Sequence, residues 1–111
     1  MTTNELIEKL NLKAVTEISE DKTVTGCYIG DLLSWVMSRA QAGDVWITVM
    51  TNINIAAVGA LTDVACIIIP ENIEVEATTV AKANKQEILI LSSSETAYQL
   101  ACKIHDLNVA I

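Results

Sequence analysis

The segment that most constrains this chain runs from Asp44 to Asn72, "DVWITVMTNINIAAVGALTDVACIIIPEN". No residue between Val45 and Thr62 is charged, and after Asp63 comes a second apolar run, "VACIII". A membrane-spanning helix needs about 20 consecutive apolar residues. A helix here would have to carry Thr48, Thr51, Asn52, Asn54 and Gly59 through hydrocarbon, where amide side chains are costly. Local composition points to a different solution. "VWITV" is β-branched and aromatic, which favours a strand. "TNIN" then breaks the pattern and places Thr51 or Asn52 as a helix N-cap. Ile53 to Leu61 is rich in alanine and apolar on every side, the pattern of a short buried helix. "VACIII", stopped by Pro70, reads as a central strand. The segment is therefore strand, helix, strand, and no membrane span.

The same alternation continues outward. "TNELIEKLNL" sets Thr2 and Glu5 in capping-box spacing and puts Leu6, Ile7 and Leu10 on one helical face. "KAVTE" reads as a short strand, "ISEDKT" as a polar loop and "VTGCYIG" as a strand. Asp31 is placed to cap a helix over "LLSWVMSRA", with Gly43 as its stop. Glu76 to Asn84 reads as a helix with Val80, Ala81 and Ala83 inward, and "EILIL" as an apolar strand. Ser92 and Glu95 have capping-box spacing ahead of a helix with Ala97, Leu100, Ala101 and Ile104 on one side. "NVAI" at the end reads as an edge strand. Strands separated by helices of about ten residues pair in parallel through right-handed crossovers. Strands without polar alternation need cover on both faces. The expectation is an α/β fold: a single three-layer domain spanning residues 1–111, with a mostly parallel central sheet flanked by helices.

Charge narrows the partners. The chain carries 14 acidic and 7 basic residues, net −7, and its lysines are scattered. That sign repels phosphate backbones and anionic lipid, so neither nucleic acid nor a membrane surface is an expected partner. Cys27, Cys66 and Cys102 have no CxxC spacing and sit in apolar stretches, which reads as buried, reduced thiols of a cytoplasmic protein. With one histidine, His105, the ligand set for a metal is thin and no metal or cofactor is expected. The acidic start "MTTNELIEKL" is unlike a signal peptide.

In a parallel sheet, ligands bind beyond the carboxyl ends of the strands. Here those ends supply Gly30 and Asp31, then Thr51, Asn52 and Asn54, then Pro70 to Asn72, and then Ser92, Ser93 and Ser94. Hydroxyls, amides and free N–H groups at helix starts suit a small anion. The same residue types are also ordinary caps and turn formers, so both readings stand. No glycine-rich phosphate loop occurs, and one histidine without a placed acid and nucleophile makes no triad. Asp31, Asp44, Asp63 and Glu71 all lie at element ends, which leaves a paired acid–base role to be tested by their placement. Trp46 falls in a buried strand, whereas Trp35 is divided between core and a subunit contact.

From "VTGCYIGD" through "AGDVWIT" and "NIAAVGALTDVACIII" to "KANKQEILILSSSETAYQLA", the chain resembles a DRTGG domain over roughly residues 4 to 106. That module is found beside CBS domains and in the front part of HPr serine kinase/phosphorylase. No "DRTGG" string occurs here, and "IIPEN" stands where many members carry a glycine pair. The kinase activity of that enzyme belongs to a separate P-loop domain, which this chain lacks. The resemblance implies a regulatory, nucleotide- or metabolite-sensing module that often dimerises. It also implies an alternative, because stand-alone members accompany redox and hydrogenase genes: a protein–protein interaction or scaffold module serving such an enzyme. The resulting expectation is a non-catalytic homodimer that binds a small anionic ligand or a partner protein.

Overall fold

The apolar middle segment folds as strand, helix and strand in the computed structural model, which describes residues 1–18 and 20–107. In chain order the elements are α1 (Thr3–Leu10), β1 (Lys13–Ala14), β2 (Gly26–Ile29), α2 (Leu33–Arg39) and β3 (Asp44–Ile47). There follow α3 (Asn54–Thr62), β4 (Cys66–Ile69), α4 (Ala77–Lys85), β5 (Ile90–Ser92) and α5 (Ala97–Asp106). The edge strand expected in "NVAI" lies outside the described residues.

The sheet runs in the order β1-β5-β4-β3-β2. The pairs β2–β3, β3–β4 and β4–β5 are parallel, and only β1 lies antiparallel, against β5. "VACIII" is thus the middle strand, and all four residues of β4 are buried. Because β2 to β5 lie side by side in chain order, right-handed crossovers put α2, α3 and α4 on one face. Trp46, Ile67, Ile69 and Ile90 pack there against Val36 of α2, Ile55, Ala56 and Val58 of α3, and Ala83 of α4. On the other face Val45, Ile47, Ile68 and Leu91 pack against Leu6 and Leu10 of α1 and Leu100 and Ile104 of α5. This is the three-layer, mostly parallel α/β domain the periodicity demanded. Its inner strands β3 and β4 are buried throughout because neither face can meet water at acceptable cost.

Local signals were kept at some helix ends and displaced at others. Thr2 and Glu5 form the capping box of α1. The box ahead of α5 is Thr96 with Gln99, four residues later than Ser92 and Glu95, because Ser92 is held in β5 by pairing with Lys13 and Ile69. Asp31 does not cap α2, whose N-cap position is Leu32, without a side-chain bond. Gly43 is no stop either, since α2 ends at Arg39. Gly43 takes φ +86° in the turn into β3, where a Cβ would collide with Thr25 Oγ1, so glycine is required there. In α4 the inward residues are Thr79 and Ala83, with Ala81 exposed. Thr79 is tolerated inside because its hydroxyl donates to the Thr51 carbonyl at 2.7 Å.

Candidate functional site

Parallel pairing delivers the carboxyl ends of β2, β3, β4 and β5, and the starts of α2 to α5, to one edge of the sheet. The neighbouring strands follow in chain order, so this edge has no point where the winding reverses and no crevice made by such a reversal. The residues at this edge are instead tied to one another. Gly30 accepts the Trp46 Nε1–H at 3.0 Å, and its own N–H donates to Ile47 at 3.2 Å. The Asp31 carboxylate accepts the Thr48 hydroxyl at 2.7 Å and the Val49 N–H at 2.9 Å.

The start of α3 is similarly closed. Neither Thr51 nor Asn52 is its N-cap; that position is Ile53. Asn52 Oδ1 accepts the Asn54 N–H at 2.9 Å, and the Ile55 and Ala56 N–H groups donate to the Asn52 and Ile53 carbonyls. The first-turn donors that would greet an anion are therefore engaged internally. Thr51 is bound through its carbonyl by Thr79.

At the β4 and β5 ends, Glu71 and Asn72 adopt φ +59° and +54°, and Ile73 N–H closes the turn on the Pro70 carbonyl at 3.3 Å. Two successive left-handed residues are what a type I′ turn needs, and glycine is its cheapest occupant. The turn is docked across the sheet edge, with Glu71 N–H on the Glu95 carbonyl at 2.9 Å and Asn72 N–H on the Ser93 carbonyl at 2.8 Å. Ser93 is buried, and its hydroxyl accepts the Glu95 N–H at 3.1 Å, whereas Ser94 is exposed.

Beside this turn lies a groove of about 430 Å³, walled by Lys13, Ala14 and Val15 on one side and Asn72 to Val75 on the other, with Ser92 between them. The antiparallel register of β1 on β5 brings Lys13 opposite Ser92. Of the strand-end residues expected from sequence, Ser92 and Asn72 line this groove; Gly30, Asp31, Thr51, Asn52 and Asn54 sit in the closed loops described above, and Ser93 and Ser94 adjoin the groove without lining it. Lys13 and Glu74 belong to the groove and were not singled out in sequence. Lys13 becomes visible only when β1 is known to pair antiparallel, which a two-residue strand does not announce.

A second concavity, about 480 Å³, opens at the opposite edge between Glu20 to Thr23, Thr25, Ala42, Gly43, Asp63 and Ala65. Lys22 and Asp63 approach to 3.7 Å across it. The carboxylates at element ends do not converge. Asp31 and Glu71 belong to the carboxyl edge, while Asp44 and Asp63 belong to the amino edge, where Asp44 accepts the Gln41 N–H at 2.8 Å. His105 stands on the exposed side of α5 beside Asp106 at 3.7 Å. Among the described residues, no three His, Cys, Asp or Glu side chains gather as a metal would need, and no helix is long and apolar enough to cross a membrane.

The thiols differ from the sequence reading. Cys66 is buried, but Cys27 and Cys102 are exposed. Cys27, Val45 and Cys66 form one row across β2, β3 and β4. That spacing is about 10 Å between the outer two, beyond the reach of a disulfide. Burial pushes the Cys66 thiol up to about 12, with Cys27 adding to the rise and Lys22 opposing it. Desolvation of its sulfur, and then the Asp44 carboxylate, push Cys27 up to about 11 even though the residue is exposed at the sheet edge. Both thiols are therefore poor nucleophiles at neutral pH.

Among solved structures, the chain is similar to the CBS and DRTGG domains of the regulatory region of a Clostridium perfringens pyrophosphatase, crystallised with its activator diadenosine tetraphosphate. The TM-score is 0.72 over 93% of this chain and 45% of that one, at 13% identity. The chain thus spans less than half the length of that regulatory chain, and identity this low carries the fold alone. No family model matches the sequence, and no curated protein matches it. The shared architecture is a DRTGG-related α/β fold.

Proposed function

We propose that this domain is a regulatory, ligand-sensing module of DRTGG type, acting as a homodimer and without a catalytic role of its own. The observation that carries the reading is the groove at the carboxyl edge, which joins a lysine, a serine hydroxyl, an asparagine amide and a glutamate with apolar side chains in about 430 Å³. A nucleotide matches that chemistry. Its base fits between Val15, Ile73 and Val75, its phosphate meets Lys13 and the Ser92 hydroxyl, and its ribose hydroxyls donate to Glu74. Ser93 and Ser94 adjoin the groove at the end of β5, while the loops at Gly30–Asp31 and Thr51–Asn54 lie farther along the same edge and are closed by their own hydrogen bonds. Support also comes from the fold, because the similar pyrophosphatase chain is a regulatory region complexed with a nucleotide activator.

Thermal denaturation in the presence of mono-, di- and dinucleoside polyphosphates and acyl phosphates tests the reading. A nucleotide that raises the melting temperature of the wild-type protein but not of Lys13→Glu supports it. Absence of any shift at millimolar ligand would leave the alternative, an interaction or scaffold module that docks a subunit of a redox enzyme. The exposed apolar residues on α2 and α3 favour that second reading. Isothermal titration of a candidate partner would then give binding that Lys13→Glu does not disturb.

A further inference from the structure

The layer formed by α2, α3 and α4 is unlike the rest of the surface. The chain carries 14 acids against 7 bases, yet these three helices contain Arg39, Lys82 and Lys85 and no acid. The middle helix is polar only at its two ends, Asn54 and Thr62; Ile55, Ala56, Val58 and Gly59 point inward, and the outward residues between the ends, Ala57, Ala60 and Leu61, are apolar as well. Ile53 is 45% and Leu61 69% exposed, with Ala57 and Ala60 also exposed between them. A helix that is apolar all round belongs in an interior. On α2, Trp35 and Met37 extend this surface, at 51% and 49% exposed, and the Arg39 guanidinium lies 3.7 Å over the Trp35 ring. Ala81 and Thr78 continue it on α4.

The charges along this face are ordered end to end. Asp31 precedes α2 and Arg39 closes it; Glu74 and Glu76 precede α4, and Lys82 and Lys85 lie in its last turn. Among the described residues, neither Arg39, Lys82 nor Lys85 has a carboxylate partner. The acids at the basic end, Asp63 and Glu87, sit in the turns leading back to the sheet, and Asp63 faces Lys22. The three helices run in the same direction, so the face is acidic where they begin and basic where they end.

We infer that this helical face is the homodimer interface, with the two copies stacked face to face about a two-fold axis perpendicular to the helices. Each helix then lies antiparallel on its own copy. With the axis near Ala57, Ile53 of one copy meets Leu61 of the other and Ala57 meets Ala57, and the small alanines let the backbones approach. Glu76 of one copy meets Lys85 of the other, a pair that occurs twice, and Arg39 at the end of α2 faces the acidic start of the opposing layer. Antiparallel stacking also opposes the helix dipoles favourably. A two-fold axis along the helices would instead set Arg39 against Lys82 and Lys85, so charge selects the first arrangement. The inference rests on the homodimer reading and assigns its surface; Trp35 and Met37 become flanking contacts.

Sedimentation velocity over a concentration series tests it. The wild-type protein is expected to dimerise. Leu61→Glu, at a site open enough to keep the monomer folded, weakens the dissociation constant by about tenfold or more. Ala57→Glu does the same, and circular dichroism verifies the fold of each variant. Glu76→Lys and Lys85→Glu weaken the dimer singly, and the double variant Glu76→Lys/Lys85→Glu restores it. A wild-type dimer indifferent to Leu61→Glu and Ala57→Glu overturns this surface while sparing the dimer. Failure of the double variant to recover overturns the antiparallel arrangement. A wild-type monomer at tens of micromolar, a concentration chosen on the order expected for a weak specific dimer, overturns the dimer as well. Ligand-induced thermal shifts in folded Leu61→Glu would then report on the sensing site separately.

Discussion

Asp31 accepts the Thr48 hydroxyl at 2.7 Å, so the carboxylate that stands before α2 in sequence is spent on the next strand. The bond, with Val49 N–H at 2.9 Å, ties the end of β2 to the end of β3. Thr48 is buried, and without Asp31 its hydroxyl would lose its acceptor. Asp31→Ala should therefore cost about 1–2 kcal/mol, and Asp31→Asn, which keeps an acceptor oxygen, clearly less. Urea denaturation of both variants checks the order. Equal losses would mean that the charge, and not the acceptor, holds the loop.

The two tryptophans should separate cleanly. Trp46 is fully buried and bonded to the Gly30 carbonyl at 3.0 Å, whereas Trp35 is 51% exposed. Trp46→Ala opens a cavity in the central layer and is expected to cost about 3–5 kcal/mol, a large part of a small domain's stability. Trp35→Phe should leave folding intact and give a blue-shifted emission that acrylamide quenches weakly. Strong quenching of that variant would contradict the placement of Trp46.

The turn at Glu71 and Asn72 stores strain, since both residues hold positive φ without being glycine. Asparagine tolerates that region better than glutamate. Glu71→Gly should stabilise the domain by about 0.5–1 kcal/mol, less whatever glycine adds to the freedom of the unfolded chain. A shift of the urea midpoint to higher concentration, at unchanged slope, is the expected result. Destabilisation would show that the Glu71 side chain contributes more than its backbone costs.

Helix capping offers an internal comparison. Thr96 accepts the Gln99 N–H at 3.2 Å, and its own N–H is met by Gln99 at 2.9 Å. Thr96→Ala is expected to lower stability by about 1 kcal/mol. Ser92, in β5, has no side-chain hydrogen bond among the described residues, so Ser92→Ala should stay within about 0.5 kcal/mol and act on ligand binding instead. Thermal melts of the two variants with and without nucleotide give both readings.

Thiol chemistry should follow burial. Cys102, exposed on α5, is expected to be alkylated first at neutral pH, Cys27 slowly, and Cys66 only on unfolding. Two of these groups also set an alkaline dependence. The folded values of about 11 for Cys27 and about 12 for Cys66 lie above the ordinary 9.0, so the folded state holds these protons longer than the unfolded chain. Their contribution to stability is complete below pH 9.0 and is lost as pH rises through about 11 to 12. Cys66→Ala should flatten that alkaline loss. At the acid end Asp21, held below 3.8 mainly by the Asn4 N–H, contributes above that pH and ceases to as pH falls through its folded value.

Much of the architecture was written locally. The runs "VWITV" and "VACIII", which lack polar alternation, can satisfy neither face with water, and they became β3 and the central β4. Thr2 with Glu5 capped α1, as spacing alone demands. The site was less legible. Asp31, Asn52 and Ser92 have the composition of caps, but strand ends compete for the same side chains. Thr48, Asn54 and the β1 register won them. Lys13 carried no signal at all, because its neighbour Ser92 is far away along the chain.

By itself, then, the sequence determined that this chain would bury an aliphatic parallel sheet under helices on both faces, since period and hydrophobicity act over a few residues and leave no cheaper fold. It also expected α3 to vanish into the core. Tertiary structure alone decided that the outer side of α3 would stay open, that Cys27 would fall at an edge, and that Lys13 would stand beside Ser92. Those facts depend on which strands become neighbours and which end up at the rim. Strand order is settled by the balance of all crossovers and faces together, and no local run of residues encodes it.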